Sequence, residues 1–203
     1  MALAQTIDTT SAAERFARDG YICPVNVVSR DDALAYRAEF ESLTDQIASR
    51  RLGNKGQLNH AHTIFPFVSE IIRHPAILQT VKAILGHDLL VWATTFFTKE
   101  PRTESFVSWH QDLRYWGLSG DAEVAVWVAL GAVHEEQGCM RFVPQSHRMD
   151  LLEHRDTFDE KNFLTRGQEA VIDIDESKTV LAELDPGQAS LHHGRLLHAP
   201  GPN

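Results

Sequence analysis

The chain of 203 residues is 43% hydrophobic and 23% charged, a balance that is typical of one globular domain and excludes a disordered or collagen-like chain. Its 28 acidic residues outnumber its 19 basic residues, and the net charge is −9. Binding to nucleic acid or to an anionic membrane surface through bulk charge is therefore not expected. We interpret residues 1–203 as a single domain.

The two cysteines, Cys23 and Cys139, are too few for a disulfide framework. We predict that both are buried thiols in a reducing compartment. The first residues carry no basic and apolar signal sequence, and no apolar run reaches the ~20 residues that a membrane span requires. These features predict a cytoplasmic protein without a membrane partner, and they leave its oligomeric state open.

Residues 1–87 are predicted to form a mainly helical layer. Ser11 followed by Glu14 has the spacing of a capping box, and Gly20 can end the short helix that this box begins. Residues 21–25 are then predicted as a brief strand.

Two further helices are predicted in this layer. The first begins at Ser29 and has no proline or glycine before Gly53. The second begins near Phe67 and has an apolar face that continues to Gly86. We expect all three helices to pack on another layer of structure.

After Gly86 the hydrophobic period becomes that of β-strands. Residues 89–98 are β-branched and aromatic, which favours a buried strand. Further strands are predicted at 124–133, 139–143, 179–184 and 189–193. Helices followed by short strands predict an α+β fold in which residues 88–203 form an antiparallel sandwich or barrel.

Residues 150–170 interrupt the strand pattern, because they are charged and weakly periodic. An insertion of this length beside a barrel commonly acts as a lid. We predict that this segment is mobile without ligands and becomes ordered over the mouth of the barrel when they bind. The alternative is a fixed surface element that is unrelated to access.

His110 and Asp112 are candidate metal ligands. Residues i and i+2 of a strand project from the same face, so the two side chains can offer a nitrogen and an oxygen to one ion. Two histidines and a carboxylate hold one face of an octahedral ion and leave the opposite face open, as non-haem Fe(II) oxygenases require. A single His-x-Asp triplet is about what chance supplies in a chain with 11 histidines, so a structural histidine remains the alternative.

His60 and His62 have the same spacing, but residues 63–67 supply no glutamate to complete a metal site. We interpret this segment as a possible lining of the substrate entrance. The sequence contains no phosphate-binding glycine loop, dinucleotide fingerprint or Gly-x-Ser-x-Gly motif.

Five ordered segments carry a pattern that is more specific than one triplet. They are HPAIL (74–78), WHQDLRYW (109–116), VWVAL (126–130), QGCMRFVPQSH (137–147) and HGRLLHAPGPN (193–203). Together they resemble the phytanoyl-CoA dioxygenase family, and the resemblance covers most of residues 59–203.

The resemblance implies a double-stranded β-helix, a jelly-roll of the cupin-like type, behind the helical layer. It also implies Fe(II) held by His110, Asp112 and His198, with 2-oxoglutarate as cosubstrate and dioxygen as oxidant. His198 is assigned as the third ligand because it opens the family's His-x-x-Gly-x-Asn phrase. His193 is expected on the preceding strand as a hydrogen-bonding residue.

By the same matching, Thr95 and Trp127 fall where the family contacts 2-oxoglutarate, and packing in the barrel core is the alternative for both. Pro200 stands where the family often has a serine. The family's final barrel strand carries the arginine that pairs with the distal carboxylate of 2-oxoglutarate. That strand is expected beyond Asn203, so we interpret the sequence as C-terminally incomplete.

The expected function is therefore hydroxylation of an unactivated C–H bond in a small organic substrate, which is also the only partner predicted. Two alternatives remain open. A zinc-dependent hydrolase could use the same three ligands and would need neither dioxygen nor 2-oxoglutarate. A non-catalytic protein could bind a small molecule in the same barrel.

Overall fold

Residues 9–49 and 58–203 are described by a computed structural model of the chain. The helices in these residues are α1 (Thr9–Asp19), α2 (Arg30–Ser49), α3 (Pro66–Ile72), α4 (Pro75–Leu85) and α5 (Leu113–Trp116). The strands are β1 (Tyr21–Asn26), β2 (Ala125–Val128), β3 (Met140–Phe142), β4 (His154–Arg155), β5 (Glu169–Ala170), β6 (Val180–Ala182), β7 (Gln188–His192) and β8 (His198–Pro200). Short 3-10 turns connect several of them.

The predicted first helix and the brief strand after it are confirmed as α1 and β1, but Ser11 lies inside α1, so the predicted capping box does not begin this helix. Gly20 joins them with a φ of +84°, and a side chain at this position would collide with the ring of His147. The second helix is confirmed as α2, and Ser29 caps it by accepting a hydrogen bond from the backbone N–H of Asp32 at 3.0 Å. The end predicted for this helix at Gly53 lies outside the described residues.

The single helix predicted from Phe67 to Gly86 is wrong, because the structure has two helices there. α3 ends at Ile72, and α4 begins at Pro75. Proline lacks a backbone N–H and disfavours helical backbone in the residue before it, so His74 is extended, with a ψ of 131°, and caps α4 instead of continuing α3.

Antiparallel pairing organises the strands into two three-stranded sheets. β7 lies between β1 and β2 in the first sheet, and β3 lies between β6 and β8 in the second. β4 and β5 form a separate two-stranded pair. The predicted strands at 124–133, 139–143, 179–184 and 189–193 are confirmed as β2, β3, β6 and β7, and a mixed α+β fold with antiparallel sheets is confirmed with them.

The buried strand predicted at 89–98 is wrong. No residue of this segment joins a strand within the described part of the chain, and several of its apolar side chains face solvent. Leu90 is 99% exposed, Trp92 57% and Phe97 60%. High β-propensity describes how a side chain fits a pleated and half-buried surface, and here no neighbouring strand supplies that surface.

Two apolar layers follow from the alternation of side chains along the first sheet. Ile22, Ala189 and Leu191 face the helices and belong to the core that those helices cover. Residues of the opposite face point toward the second sheet and form a smaller cluster; they are Tyr21, Cys23 and Trp127, which pack against Met140, Phe142, Ala182 and Leu196. The functional side chains described below line this inner space.

Cys139 is buried, as predicted, and Cys23 is half-buried. Burial raises the pKa of the Cys23 thiol to about 12, so this side chain is a neutral thiol at physiological pH. Within residues 9–49 and 58–203, no helix is both long enough and apolar enough to cross a bilayer.

Candidate metal centre

His110 and His198 lie directly opposite each other in an antiparallel bridge at the inner edge of the second sheet. The backbone N–H of each residue donates to the carbonyl of the other, and both N···O distances are 3.1 Å. Opposed residues of an antiparallel pair project their side chains from the same face. The ring centroids are consequently only 4.2 Å apart, and both side chains are buried.

Asp112 joins this pair through a turn. The chain leaves the bridge immediately after His110, and Asp112 occupies the position before the short helix α5 without a hydrogen bond from its side chain to the helix backbone. The next backbone N–H, that of Leu113, donates to the carbonyl of Gly194 at 2.9 Å and fixes the turn. The strand geometry predicted for the His-x-Asp segment is therefore wrong in detail, although the two side chains still converge.

The three side chains bring one ligand atom each into a common space. The Oδ1 of Asp112 lies 3.5 Å from the Nε2 of His110 and 3.8 Å from the Nε2 of His198. All three atoms lie within 4.8 Å of one another, and no other such group of three is found in the part of the chain that the structure describes. The structure thus places together the three residues that the sequence motifs assigned as ligands.

Hydrogen bonds to backbone carbonyls fix the protonation of both imidazoles. The Nδ1 of His110 is 2.8 Å from the carbonyl of Ser108, and the Nδ1 of His198 is 2.9 Å from that of Leu196. Because a carbonyl only accepts, each Nδ1 carries a hydrogen, and in a neutral imidazole the lone pair is then on the Nε2 that faces Asp112. This is the tautomer that a metal-ligating histidine adopts.

The charges of the three groups also suit a cation. Burial lowers the pKa of His198 to about 3, so its imidazole is neutral at physiological pH. Burial opposes ionisation of Asp112, but the imidazoles of His198, His110 and His192 hold its pKa well below the usual range. Two imidazoles and one carboxylate form the donor set of a non-haem Fe(II) site, and the residues present therefore fit that metal.

Gln111, between the two ligands of the turn, faces away from them and is completely buried. Its Nε2 donates to the carbonyl of Arg195 at 2.8 Å, and its Oε1 accepts from the N–H of Leu152 at 2.8 Å. The backbone N–H of Gln111 donates to the Nε2 of His154 at 3.3 Å. This role has no local signal in the sequence, because the partners of the Gln111 side chain lie 39 to 84 residues away along the chain.

Thr95 and Trp127, the predicted contacts to 2-oxoglutarate, lie in different surroundings. Thr95 is exposed on the 89–98 segment, and its hydroxyl donates to the Oδ1 of Asn59 at 2.8 Å. Trp127 is opposite Ser190 in the first sheet and packs in the inner space between the two sheets. Both assignments remain predictions.

His193, expected as a hydrogen-bonding residue, lies beside a buried carboxyl group that the sequence analysis did not single out. Its Nδ1 is 3.3 Å from the Oε1 of Glu123, which accepts the N–H of Gly194 at 2.8 Å. Burial raises the pKa of Glu123 to about 7. The carboxyl group occupies the position that a side chain on Gly194 would need, and the turn that leads to His198 is thereby anchored.

His60 and His62 do not form a metal site with a third donor within the described residues. The Nδ1 of His62 lies 2.9 Å from the hydroxyl of Thr94, and the ring centroids of the two histidines are 6.2 Å apart. This pair ties residues 60–62 to the exposed 89–98 segment, and a lining role at the substrate entrance remains a prediction.

Comparison with known proteins decides the family. The sequence profile described as phytanoyl-CoA dioxygenase (PhyH) matches residues 16–203. The chain belongs to this family. The family predicted from the sequence motifs is confirmed.

Individual relatives agree with this membership. A solved structure of the non-heme monooxygenase ThoJ in its apo form is 36% identical, with a TM-score of 0.83 over 95% of this chain and 71% of that chain. The probable alpha-ketoglutarate-dependent hypophosphite dioxygenase of Stutzerimonas stutzeri is 25% identical over 150 residues, or 72% of this chain and 51% of that protein. The ectoine dioxygenase of Streptomyces avermitilis is 23% identical over 156 residues, or 70% of this chain and 53% of that protein. The chain thus spans about half the length of these curated relatives.

Proposed function

We propose that this PhyH-family chain is an Fe(II)- and 2-oxoglutarate-dependent dioxygenase that hydroxylates an unactivated C–H bond of a small organic molecule. The observation that carries the proposal is the convergence of His110, Asp112 and His198 in the protonation states that bind a metal. Three protein ligands on one face leave room for a bidentate cosubstrate and for dioxygen.

The roles of the protein groups follow from their positions. The two imidazoles and the carboxylate hold the ion, while Gln111 and the His110–His198 bridge fix the geometry of these ligands. When bound, iron would supply the redox chemistry in which dioxygen is the oxidant and 2-oxoglutarate is the electron donor that leaves as succinate and carbon dioxide. Trp127 is proposed to contact 2-oxoglutarate from the inner face of the first sheet, and Thr95 from the 89–98 segment.

The arrangement of strands supports a double-stranded β-helix. The two antiparallel three-stranded sheets face each other across an apolar cluster, and helices cover only the outer face of the first sheet. We propose that these sheets are the two walls of a jelly-roll, with the metal ligands at one end of the space between them.

The two alternatives predict different chemistry from the same ligands. A zinc hydrolase would turn over with a metal-bound water and without dioxygen. A binding protein would take up a small molecule and release no product. The three-ligand set with fixed tautomers favours a metal enzyme over a binding protein, and family membership favours iron over zinc.

The test is a coupled assay. The protein is loaded with Fe(II) under anaerobic conditions and mixed with 2-oxoglutarate, dioxygen and a panel of small organic acids and amines, and succinate release is measured by mass spectrometry. We expect succinate in the presence of dioxygen only, with one oxygen atom added to the substrate. Asp112→Ala should abolish the signal, whereas Asp185→Ala, which removes an exposed carboxylate, should retain it. Turnover with Zn(II) and without dioxygen would establish the hydrolase instead.

A further inference from the structure

Asp112 has a third imidazole neighbour, in addition to the two candidate ligands. The Nε2 of His192 lies 3.4 Å from the Oδ2 of Asp112. The other oxygen, Oδ1, faces His110 at 3.5 Å and His198 at 3.8 Å. The two oxygens of the carboxylate therefore have separate surroundings: Oδ1 faces the two candidate ligands, and Oδ2 faces His192.

The fold holds His192 firmly in this place. It is the last residue of β7, where it pairs with Tyr21 on one side and with Ala125 on the other. The preceding residue, Leu191, points into the core under the helices, so His192 points into the space between the sheets. Only 2% of His192 is exposed, and its ring lies 5.4 Å from that of Phe142, centroid to centroid.

The tautomer of His192 differs from that of the two candidate ligands. Its Nδ1 is buried and finds no hydrogen-bond partner within residues 9–49 and 58–203, whereas the Nδ1 atoms of His110 and His198 donate to carbonyls. A neutral imidazole carries one hydrogen. Placing it on Nδ1 would bury an unsatisfied donor and would leave Oδ2, the oxygen that does not face the two candidate ligands, without a donor from His192, so the Nε2–H form is favoured.

We propose that His192 is a positioning residue for the metal centre, which binds Oδ2 of Asp112 through its Nε2–H and leaves Oδ1 as the single oxygen offered to the metal. A carboxylate that cannot bring both oxygens to the ion fills only one coordination position. The remaining coordination positions then stay open for cosubstrate and dioxygen. This inference rests on the proposed metal centre but not on the substrate or on turnover.

Three variants test it by metal binding alone, with Co(II) as the probe. His192→Phe keeps a planar ring and removes the donor, and His192→Gln restores an N–H donor at a similar distance from the backbone. His147→Phe is the matched control, because His147 is another buried histidine whose Nε2 contacts the carbonyl of Ala17 rather than the metal centre. Affinity and the visible absorption of bound Co(II), which depends on coordination number, are measured for each.

We expect the dissociation constant of Co(II) to rise by about 10- to 100-fold in His192→Phe, as for other losses of a partner of a metal ligand. Its Co(II) spectrum should change, His192→Gln should recover most of the affinity, and His147→Phe should resemble the wild type. Wild-type affinity and spectrum in His192→Phe, or a Gln variant no better than the Phe variant, would overturn the inference. Failure of the wild-type protein itself to bind any divalent metal would instead overturn the proposed function.

A measurement on the unmodified protein covers the case in which the His192 variants do not fold. Two-dimensional ¹⁵N–¹H spectra of the histidine side chains in the diamagnetic Zn(II)-loaded protein report which nitrogen carries each hydrogen. We expect His192 as the Nε2–H tautomer and His110 and His198 as Nδ1–H tautomers with metal-bound Nε2. An Nδ1–H tautomer at His192, or a metal-bound His192, would refute the positioning role.

Discussion

Two neighbouring histidines, His192 and His193, each lie beside a buried carboxyl group, but the two pairs carry their protons differently. Asp112, next to His192, is surrounded by three imidazoles that hold its pKa well below the usual range. Glu123, next to His193, has a pKa that burial raises to about 7. The carboxyl group of Asp112 thus favours the charged form that can bind a cation, whereas that of Glu123 favours the protonated form below about pH 7.

The reason lies in the hydrogen-bond partners of each group. The Nδ1 of His193 already accepts the N–H of Arg195 at 3.0 Å, and burial lowers its pKa to about 4, so its imidazole is neutral. The Oε2 of Glu123 is buried without a partner among the described residues, and a proton there removes the cost of an uncompensated charge. The comparison teaches that the number of imidazoles around a buried carboxyl group decides between a ligand and a neutral anchor.

The strongest test of this difference is to replace one histidine near Asp112 and one near Glu123. His198→Ala should weaken Fe(II) binding by more than about 100-fold, because loss of a ligand costs more than loss of a partner of a ligand. His193→Ala should retain most of the affinity, since His193 contacts Glu123 and not Asp112. Equilibrium dialysis with Fe(II) under anaerobic conditions measures both. The reverse result would make His193 the third ligand.

Gln111 connects the turn of the metal ligands with Arg195, close to His193. We expect its substitution to have the next largest effect, in this case on stability. Gln111→Leu leaves the carbonyl of Arg195 and the N–H of Leu152 unsatisfied in a buried site. We expect a loss of about 3 kcal/mol in the free energy of unfolding, at roughly 1–3 kcal/mol for each buried group. Urea unfolding of the metal-free protein measures it.

The control for this prediction is the exposed residue Gln137, whose Oε1 also accepts a backbone N–H, that of His134 at 3.1 Å. Gln137→Leu should cost about 1 kcal/mol or less, because water replaces the lost bond at an exposed site. Equal losses of stability for both variants would show that the buried hydrogen bonds of Gln111 stabilise the protein no more than an exposed one does.

Sequence patterns predicted local elements and motif residues well. Ser29 identified the start of α2, and the pattern of apolar residues identified β1, β2, β3, β6 and β7. Ser11 lies inside α1 instead of at its start, and β8 was not predicted as a strand. The order of the motifs selected His110, Asp112 and His198, which the structure brings together. These features depend on neighbours in the sequence or on a family pattern, so a single chain carries the signal.

Features that depend on partners far away in the sequence could not be predicted from local patterns. Residues 89–98 have the composition of a buried strand, but no neighbouring strand covers them within the described residues. The difference between His192 and His193 arises only when β7 is paired on both sides and Glu123 arrives from a separate loop. Sequence alone shows two adjacent histidines, and the carboxyl group that each one meets is set by tertiary contacts.

The protonated state of Glu123 predicts an unusual pH dependence. Between about pH 4.5 and 6.5, the unfolded chain carries one proton on His193, and the folded chain carries one proton on Glu123. Proton uptake is then equal in the two states, so this pair makes the stability of the wild-type protein nearly independent of pH in that range.

Glu123→Gln should reveal how His193 alone changes the stability of the protein with pH. The folded state of the variant binds fewer protons than the unfolded state between the folded pKa of about 4 and the ordinary value of 6.5, so its stability relative to the wild type should increase with pH. We expect a relative gain of about 2 kcal/mol across this window. Urea unfolding at a series of pH values measures it, with the exposed Glu136→Gln as control. A pH-independent difference would mean that Glu123 is ionised in the folded protein.

The smallest effect concerns residues 150–170, the predicted lid. Both ends of this segment are fixed to the ligand-bearing turn, because His154 accepts the N–H of Gln111 at 3.3 Å and the N–H of Ala170 donates to the carbonyl of Trp109 at 2.8 Å. A third anchor lies within the segment, because the N–H of Phe163 donates to the carbonyl of Phe106 at 3.0 Å and Asn162 is buried. Exposed ion pairs, such as Arg166 with Asp156 at 3.0 Å, stabilise little. The exposed residues 157–160 are therefore the weakly held centre of the segment.

We expect hydrogen exchange to follow this division. Amides at residues 154, 163 and 170 should be protected already in the metal-free protein, whereas the exposed residues 157–160 should exchange more quickly. Phe158 in this centre is 70% exposed, so closure over the site would bury an apolar ring and slow exchange when metal and 2-oxoglutarate are added. Protection of the centre that is high from the start and unchanged by both additions would identify the whole segment as a fixed surface element. A centre that responds to 2-oxoglutarate only when the metal is present would connect this closure to the carboxylate of Asp112, because metal binding there must then precede the ordering of the segment.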